Sequence, residues 1–519
     1  MPVEAPLAAP AAPPAKPTLA PGGASPGSPR PAGPPSLTQR TLSGMGWTGS
    51  SRVGSQIAQF VITAVLARLL VPADFGLVQM YVVFTGFAML FVDLGFVGAI
   101  VQRKELDERH LSSAFWLNLG SSTAVAVLIA ALSPAVAAFY GESQLVPLMI
   151  VAALNFIIAA PALVQIAQLR RALNFRFLAI TEIVATVVSG VVAIAAAVAG
   201  LGVWSLVLLL LVASATKTAI LWFSSDWRPK RLVDRTAVRE LWRFGGNLIG
   251  SYTLSYWARN ADNLLIGKVL GLTTLGLYSR AYNLMLLPVQ QPSAIATNVM
   301  FSSLSGIQED RKRVKRAYLR AVGLIAALTF PVLTGLLVLS DRFISVVYGE
   351  KWLDAAPLLS VLCIAGIVQS VQLTSYWLYG SQGRPDLLFR WNLISFPCVI
   401  ASFFVGLHWG ALGVTIAYTV VTAALAYPAV SIAGRRVDMS FLEVAARLRN
   451  VVLASGVMGL LVFALGQAMP SGYLPAVQLL LLILIGAAAY FPILLLLRDE
   501  NLRELRGLVR RTRGGRVRS

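Results

Sequence analysis

The chain has 519 residues, of which 57% are hydrophobic and 13% are charged, and its mean hydropathy is +0.72. A soluble protein averages about 45–50% apolar and about 25% charged residues, so this composition excludes a soluble protein and indicates an integral membrane protein. Two cysteines and two histidines exclude a disulfide scaffold and a histidine-based zinc or catalytic cluster.

The first 36 residues hold 12 of the 27 prolines. Such a segment lacks the apolar bulk that offsets the entropy of ordering, which predicts a disordered tail. No basic region is followed by a short apolar core and a cleavage site, so a signal peptide is not predicted. The first hydrophobic run is therefore expected to remain as a membrane helix.

Apolar runs of roughly the 20 residues that a bilayer core requires then follow one another with short links. Together they predict an all-α polytopic membrane protein with about 14 transmembrane helices. The predicted spans lie near 45–70, 76–101, 113–139, 145–168, 178–199, 203–224, 244–267, 276–300, 318–340, 355–378, 388–407, 411–433, 450–469 and 475–497.

The basic residues indicate the orientation of these spans. With the N-terminus inside, 35 of the 43 lysines and arginines fall in the tails and inner loops, and about 4 fall in the outer links. Basic residues concentrate in cytoplasmic loops, so this bias predicts that both termini are cytoplasmic. The net charge of +20 is thus a signal of topology and also suits anionic inner-leaflet lipid, and no nucleic-acid partner is predicted.

The chain also repeats itself. The segment ARLLVPADFGLVQMY (67–81) precedes GKVLGLTTLGLYSRA (267–281) by 200 residues, and FYGESQLVPL (139–148) precedes VYGEKWLDAAPL (347–358) by 208. An offset of six spans predicts two parallel six-helix bundles, as in transporters that rock around a central cavity. The predicted domains are a tail (1–36), a first bundle (37–243), a second bundle (244–436), two extra helices (437–497) and a basic cytoplasmic tail (498–519).

Polar residues within the spans are the candidate site, because a charge at the bilayer centre costs about 2.5–3.5 kcal/mol unless it faces a cavity or a partner. Arg259, Asp262 and Asn263 share one face of span 7 at helical spacing. Arg259 and Asn263 are predicted to bind substrate, and Asp262 to couple an ion. The alternative is that Arg259 and Asp262 pair and hold one bundle together.

Span 1, the repeat partner of span 7, carries Arg52, Gln56 and Gln59 on one face, and these are predicted to bind substrate across the cavity. Arg52 has an alternative position at the inner interface, where long basic side chains reach the headgroups.

Three more intramembrane charges belong to the candidate set. Arg280 and Lys217 are predicted to bind substrate, with an interfacial anchor and a structural contact as their respective alternatives. Asp93 is predicted to couple an ion or to cap a break in span 2. Since basic residues outnumber acidic ones, a cavity lined by Arg52, Arg259, Arg280 and Lys217 favours an anion, and guanidinium groups bind phosphate well.

An enzyme is not expected, because no external link exceeds roughly 15 residues, whereas a membrane polymerase or ligase usually carries a large catalytic loop. No cofactor or metal is predicted. A drug or cation exporter remains an alternative, and it predicts an acidic cavity.

Four motifs carry a resemblance to a known family: DFGL after span 1, DLG…VQR at the end of span 2, RNADNLLIG in span 7 and LYSRAY in span 8. Over about residues 40–440 the chain resembles the Wzx-type polysaccharide flippases of the multidrug/oligosaccharidyl-lipid/polysaccharide exporter superfamily, in the colanic-acid and succinoglycan exporter-like branch.

The resemblance implies transfer of undecaprenyl-diphosphate-linked oligosaccharide across the bacterial inner membrane by alternating access, coupled to an ion gradient. It also implies that Arg259, Asp262 and Arg280 line the cavity. The expected partners are the lipid-linked oligosaccharide, the bilayer, and the polysaccharide polymerase and chain-length or export proteins.

Overall fold

A computed structural model describes residues 54–93, 100, 107–230, 234–470 and 474–497. The predicted tails 1–36 and 498–519 lie outside the described residues. Within the described ranges the chain forms helices and no β-strand. The helices are α1 (Gly54–Leu69), α2 (Pro72–Asp93), α3 (Glu108–Tyr140), α4 (Leu145–Ala159), α5 (Leu163–Arg171), α6 (Phe175–Val198), α7 (Trp204–Phe223), α8 (Arg235–Ser305), α9 (Arg311–Val338), α10 (Ser340–Val347), α11 (Ala355–Ser381), α12 (Pro385–Gly406), α13 (Gly410–Gly434), α14 (Phe441–Ala468) and α15 (Pro475–Leu496).

Ten apolar segments of the described chain are long enough to cross a membrane, and the segment Asp386–Val437 contains both α12 and α13. The predicted all-α, multi-pass architecture is therefore confirmed. The ten segments do not include α1, which is shorter, or α8, which carries the polar residues singled out above. The count of 14 spans stays a prediction.

Local sequence explains where several helices begin and end. Asp107 caps the start of α3 by accepting a hydrogen bond from the His110 amide, and Gly141 ends that helix in the left-handed conformation. Ser440 and Glu443 form a reciprocal capping box at the start of α14. These side chains satisfy backbone groups that a helix terminus leaves unpaired.

The helix α8 contains two arms. Gly271 has a φ of 83° and a ψ of 178°, a conformation that residues with a side chain rarely adopt, and it separates arm α8a (235–270) from arm α8b (272–305). Pro288 and Pro292 lie within α8b, where each removes a backbone hydrogen bond. The break at Gly271 lies between predicted spans 7 and 8, where the sequence places an outer turn.

The last two helices pack beside α9. The Tyr490 hydroxyl of α15 donates a hydrogen bond of 3.0 Å to the carbonyl of Ala327, and Gly459 of α14 lies against Thr334. Their other faces expose large apolar side chains, including Leu460, Leu480 and Leu484. Such faces suit contact with lipid. The boundaries of the predicted bundles stay a prediction.

Candidate functional site

At one end of the molecule, the α1–α2 turn meets the break of α8 in direct backbone contact. A Cβ atom at Gly76 would lie 1.8 Å from the carbonyl oxygen of Leu272, and one at Gly276 would lie 1.9 Å from that of Pro72. Only glycine permits this approach. The two contacts are reciprocal, because Pro72 and Gly76 correspond to Leu272 and Gly276 at the offset of 200 residues.

Two basic residues repeat the same reciprocity. The Arg68 guanidinium donates hydrogen bonds to the backbone carbonyls of Val346 and Val347, and the Lys268 ammonium donates to the carbonyl of Phe139. Arg68 and Lys268 correspond at the offset of 200, and Phe139 and Val347 correspond at 208. A two-fold arrangement of the repeats explains this pattern, and it supports the internal duplication predicted from the sequence.

A buried tryptophan completes this end of the molecule. The Trp352 indole donates a hydrogen bond of 2.8 Å to the carbonyl of Ala67, and the ring of Phe75 meets it edge-on at 5.2 Å. Trp352 is fully buried. We refer to the contacts of Arg68, Gly76, Lys268, Gly276 and Trp352 together as the closed end.

A cavity of about 360 Å³ lies beneath the closed end. Its wall comes from both arms of α8 and from α11, α12 and α13, with Gln79 contributed by α2. Among the wall residues are Leu388, within one turn of the start of α12, and Ala429, near the end of α13. The cavity therefore extends from the closed end toward the opposite end of the molecule, which we call the open end.

Among the wall residues that the structure describes, Arg259 carries the positive charge. Its side chain is exposed and lies within hydrogen-bonding reach of the Tyr376 hydroxyl. Asp262 also lines the cavity, but it is only 3% exposed. Its carboxylate accepts hydrogen bonds from the Tyr278 hydroxyl at 2.8 Å and from the backbone N–H of Asn263 at 2.7 Å. The charge offered to a ligand is therefore positive, and Asp262 takes these donors in place of Arg259.

Aromatic rings and side-chain amides provide most of the remaining polar wall. Gln369 donates to the Tyr418 hydroxyl at 3.0 Å, and Gln372 donates to the carbonyl of Thr422 at 2.8 Å. These bonds fix the orientations of both amides, and the buried Oε1 atom of Gln369 accepts no hydrogen bond within the described chain. The further wall residues of these two types are Asn260, Asn263, Tyr282, Asn283, Gln290, Tyr376, Trp391, Phe396 and Phe403.

Two predicted binding residues lie away from this wall. Lys217 of α7 pairs with Glu182 of α6 at 2.5 Å, which matches the structural alternative. Arg280 stacks on the ring of Phe75 at 4.8 Å, on the side of α8b that faces the closed end. The described cavity wall therefore does not include these two residues, because their helices turn the side chains toward other partners, and their binding of substrate stays a prediction.

The predicted stripe on α1 does not reach the cavity either. The carbonyl of the Gln56 side chain accepts a hydrogen bond of 3.0 Å from the amide of Gln291, which joins α1 to α8b, and Gln59 is exposed outside the wall. Arg52 lies outside the described residues. Asp93 is the last residue of α2, and its side chain also lies outside them.

The sequence of α11 carries a polar stripe without a charge. Gln369, Gln372 and Tyr376 follow helical spacing on one face of an apolar span, and this spacing is the pattern of a polar stripe. Trp391 carried no such signal, because an aromatic residue in a membrane helix is also typical of a lipid-facing position.

A polytopic helical bundle that encloses a polar cavity, sealed at one end by duplicated contacts, defines a membrane transporter. More particularly, the chain belongs to the family of polysaccharide biosynthesis proteins, whose family model matches residues 65–357. This membership confirms the resemblance seen in the sequence, and with it the prediction of a transporter in place of an enzyme.

Two relatives and one solved structure illustrate the similarity. The chain is 31% identical to the teichuronic acid biosynthesis protein TuaB of Bacillus subtilis (strain 168), over 69% of this chain and 74% of that protein. It is 28% identical to the lipopolysaccharide biosynthesis protein WzxC of Escherichia coli (strain K12), over 74% and 79%. The fold is similar to that of the lipid II flippase MurJ in an inward closed conformation, with a TM-score of 0.70, 12% identity, and coverage of 86% of this chain and 97% of that chain.

Proposed function

We propose that this protein is a flippase that moves polyprenyl-diphosphate-linked oligosaccharide repeat units across the bacterial inner membrane for cell-surface polysaccharide biosynthesis. The observation that carries the proposal is the cavity, where one exposed guanidinium, Arg259, stands in a wall of amides and aromatic rings. Relatives that act in the biosynthesis of teichuronic acid and lipopolysaccharide support the substrate class.

The chemistry of the wall suits each part of such a substrate. Arg259 binds a diphosphate oxygen, because guanidinium forms charge-assisted hydrogen bonds to phosphate and a low local dielectric strengthens them. The amides of Gln372, Asn283 and Gln290 exchange hydrogen bonds with sugar hydroxyls. The rings of Trp391 and Tyr376 offer apolar faces to the sugar carbons. The polyprenyl chain stays in lipid, so only the headgroup is sheltered.

We propose that both termini are cytoplasmic, with the open end inward and the closed end outward, and the positive-inside bias supports this orientation. In this orientation we assign the structure to an inward-facing state, in which the cavity receives the headgroup from the inner leaflet. A reporter fused after Ser519 is expected to be active only in its cytoplasmic form. Activity of a periplasmic reporter at that position would reverse the assignment of the two ends.

The decisive experiment replaces Arg259 with glutamine and measures surface polysaccharide in a strain that lacks the chromosomal gene. Export is expected to fall at least tenfold while the protein level stays normal, and lipid-linked sugar is expected to accumulate on the inner leaflet. The matched control is Arg316→Gln, since Arg316 is an exposed arginine of α9 outside the cavity. Equal export by the two variants would remove Arg259 from the site.

Asp262 is our candidate for ion coupling, because a buried carboxylate on the cavity wall can change its charge only by taking up a proton or a cation. Asp262→Asn keeps the shape and the hydrogen bond from Tyr278. We expect it to bind substrate normally but to lose the response of transport to an imposed ion gradient. Transport by Asp262→Asn that still follows the gradient would exclude this role.

The same cavity distinguishes the flippase from a drug or cation exporter. A cation would need an exposed carboxylate, whereas Asp262 is enclosed by its donors and Arg259 is exposed. Resistance to cationic drugs that depends on Asp262 but not on Arg259 would favour the exporter over the flippase. The polysaccharide polymerase and the chain-length and export proteins are the proposed downstream partners.

A further inference from the structure

Arg280 is a basic residue near the cavity that the inward-facing site does not use. Its guanidinium lies 4.8 Å from the ring centre of Phe75, with Tyr348 beside it, and its buried Nε atom donates to no acceptor within the described chain. A cation–π contact compensates only part of the cost of removing a guanidinium from water. The fold therefore holds this cation without a carboxylate partner among the described residues.

The internal duplication shows that packing does not require a cation here. At the offsets of the repeat, Arg280, Phe75 and Tyr348 correspond to Met80, Leu275 and Tyr140. Met80, Leu275 and Tyr140 all converge on Gly267, within 3.5 Å of the position its Cβ would occupy. A methionine thus fills the equivalent position in the other half. At this position the second half has an arginine where the first half has a methionine, which points to a function of the cation and not to a need of the packing.

The position of Arg280 relates it to both the cavity and the closed end. Its neighbours Ser279 and Asn283 line the cavity, and Gln79, one helical turn from Phe75, lines it from α2. On the other side, Phe75 contacts Trp352, the buried residue of the closed end. Arg280 thus lies between the cavity and the closed end. Separating the two halves at Gly76 and Gly276 would withdraw Phe75 and expose the guanidinium to the outer part of the pathway.

We propose that Arg280 is a second phosphate-binding residue, which is covered by Phe75 in the inward-facing state and takes the diphosphate only after the closed end opens. The proposal rests on the flippase function above and extends it to a sequence of two cation sites, Arg259 and then Arg280. The two sites lie on different arms of α8. The headgroup moves from one to the other as the two halves separate at the closed end, and no bond is made or broken.

The test compares binding with transport in purified protein reconstituted in vesicles. Arg280→Met is the most suitable substitution, because methionine occupies the equivalent position in the other half. We expect Arg280→Met to bind pyrophosphate from the open end within twofold of the unsubstituted protein, whereas Arg259→Gln weakens that binding more than tenfold. Transport of a polyprenyl-diphosphate sugar by Arg280→Met is expected to fall at least tenfold, and Arg280→Lys is expected to recover part of it.

A second arm separates phosphate binding from a merely structural role. In a protein whose closed end is weakened by Gly76→Ala, Arg259→Gln is expected to retain a pyrophosphate site that Arg280→Met then removes. A structural role for Arg280 would leave that binding unchanged. Parallel titrations with pyrophosphate and with polyprenyl diphosphate in vesicles distinguish a site for free phosphate from one for the lipid-linked headgroup.

Two results would overturn the proposal while leaving the proposed function intact. One is transport by Arg280→Met at the unsubstituted rate, and the other is loss of open-end binding equal to that of Arg259→Gln, which would place both arginines in one site. Failure of the flippase function is a different outcome, since it would appear as no transport of the diphosphate sugar by the unsubstituted protein.

Discussion

Replacing Gly76 with alanine places a methyl group where two backbones meet at the closed end. The new Cβ would lie 1.8 Å from the carbonyl oxygen of Leu272, and an ordinary contact begins at 3.4 Å, so the two segments must separate by about 1.6 Å. The obstacle is backbone and cannot rotate away. Overpacking of this kind typically costs about 1–3 kcal/mol, which corresponds to a loss of about 5-fold to about 150-fold in the population of the closed end.

The assay is the reaction of a cysteine at Leu70, a buried position in the α1–α2 turn, with a water-soluble maleimide. Cys363 and Cys398 are first replaced by serine so that the new thiol reacts alone. Gly76→Ala is expected to raise the labelling rate by a factor within the range above. Gly120→Ala is the matched control, since a Cβ at Gly120 meets nothing within 4 Å. Equal labelling rates in the two variants would show that the backbone contact does not hold this end closed.

Three further predictions test individual contacts. Trp352→Phe removes the donor to the buried carbonyl of Ala67, at a cost of about 1–3 kcal/mol; labelling at Leu70→Cys should rise, and an unchanged rate would refute this. Glu182→Gln leaves Lys217 without its carboxylate partner, so the thermal stability of the protein in detergent should fall. The double variant Glu182→Gln with Lys217→Gln should recover that stability. A double variant less stable than either single variant would contradict the pairing. The hydrogen bond with His110 lowers the pKa of Asp107. The stability that the Asp107 cap contributes is therefore present at neutral pH and is lost as the pH falls below the ordinary carboxyl range near 4. If thermal melts at acidic pH show the same pH dependence for Asp107→Ala as for the unsubstituted protein, this prediction is wrong.

The helical architecture could be predicted because its cause is local. Twenty apolar residues in succession leave few alternatives in a bilayer, and the charges between them gave an orientation. The repeat could also be predicted from the sequence. The offset of 200 residues that aligns Gly76 with Gly276 also relates their two backbone contacts in the structure. Each of these inferences needed only neighbouring residues or the comparison of two segments of the chain.

The direction in which an individual side chain points could not be predicted in the same way. Arg259 and Lys217 are both lone cations in apolar spans, yet one faces the cavity and the other meets Glu182, 35 residues earlier in the chain. The partner that decides between them is set by tertiary packing. Gln372 and Trp391 could not be predicted for another reason, because amides and rings carry no charge, although they make up half of the residues that line the cavity.

The hydrogen-bond acceptors at the closed end affect how the protein tolerates acid outside the cell. Arg68 and Lys268 donate to main-chain carbonyls, and a carbonyl keeps its acceptor strength through an acid shock that would neutralise a carboxylate partner. In the proposed orientation the closed end faces the periplasm, whose pH follows that of the surroundings more closely than the pH of the cytoplasm does. Hydrogen bonds of this kind hold the closed end together at acidic and at neutral pH alike, so the seal of the pathway does not depend on the external pH.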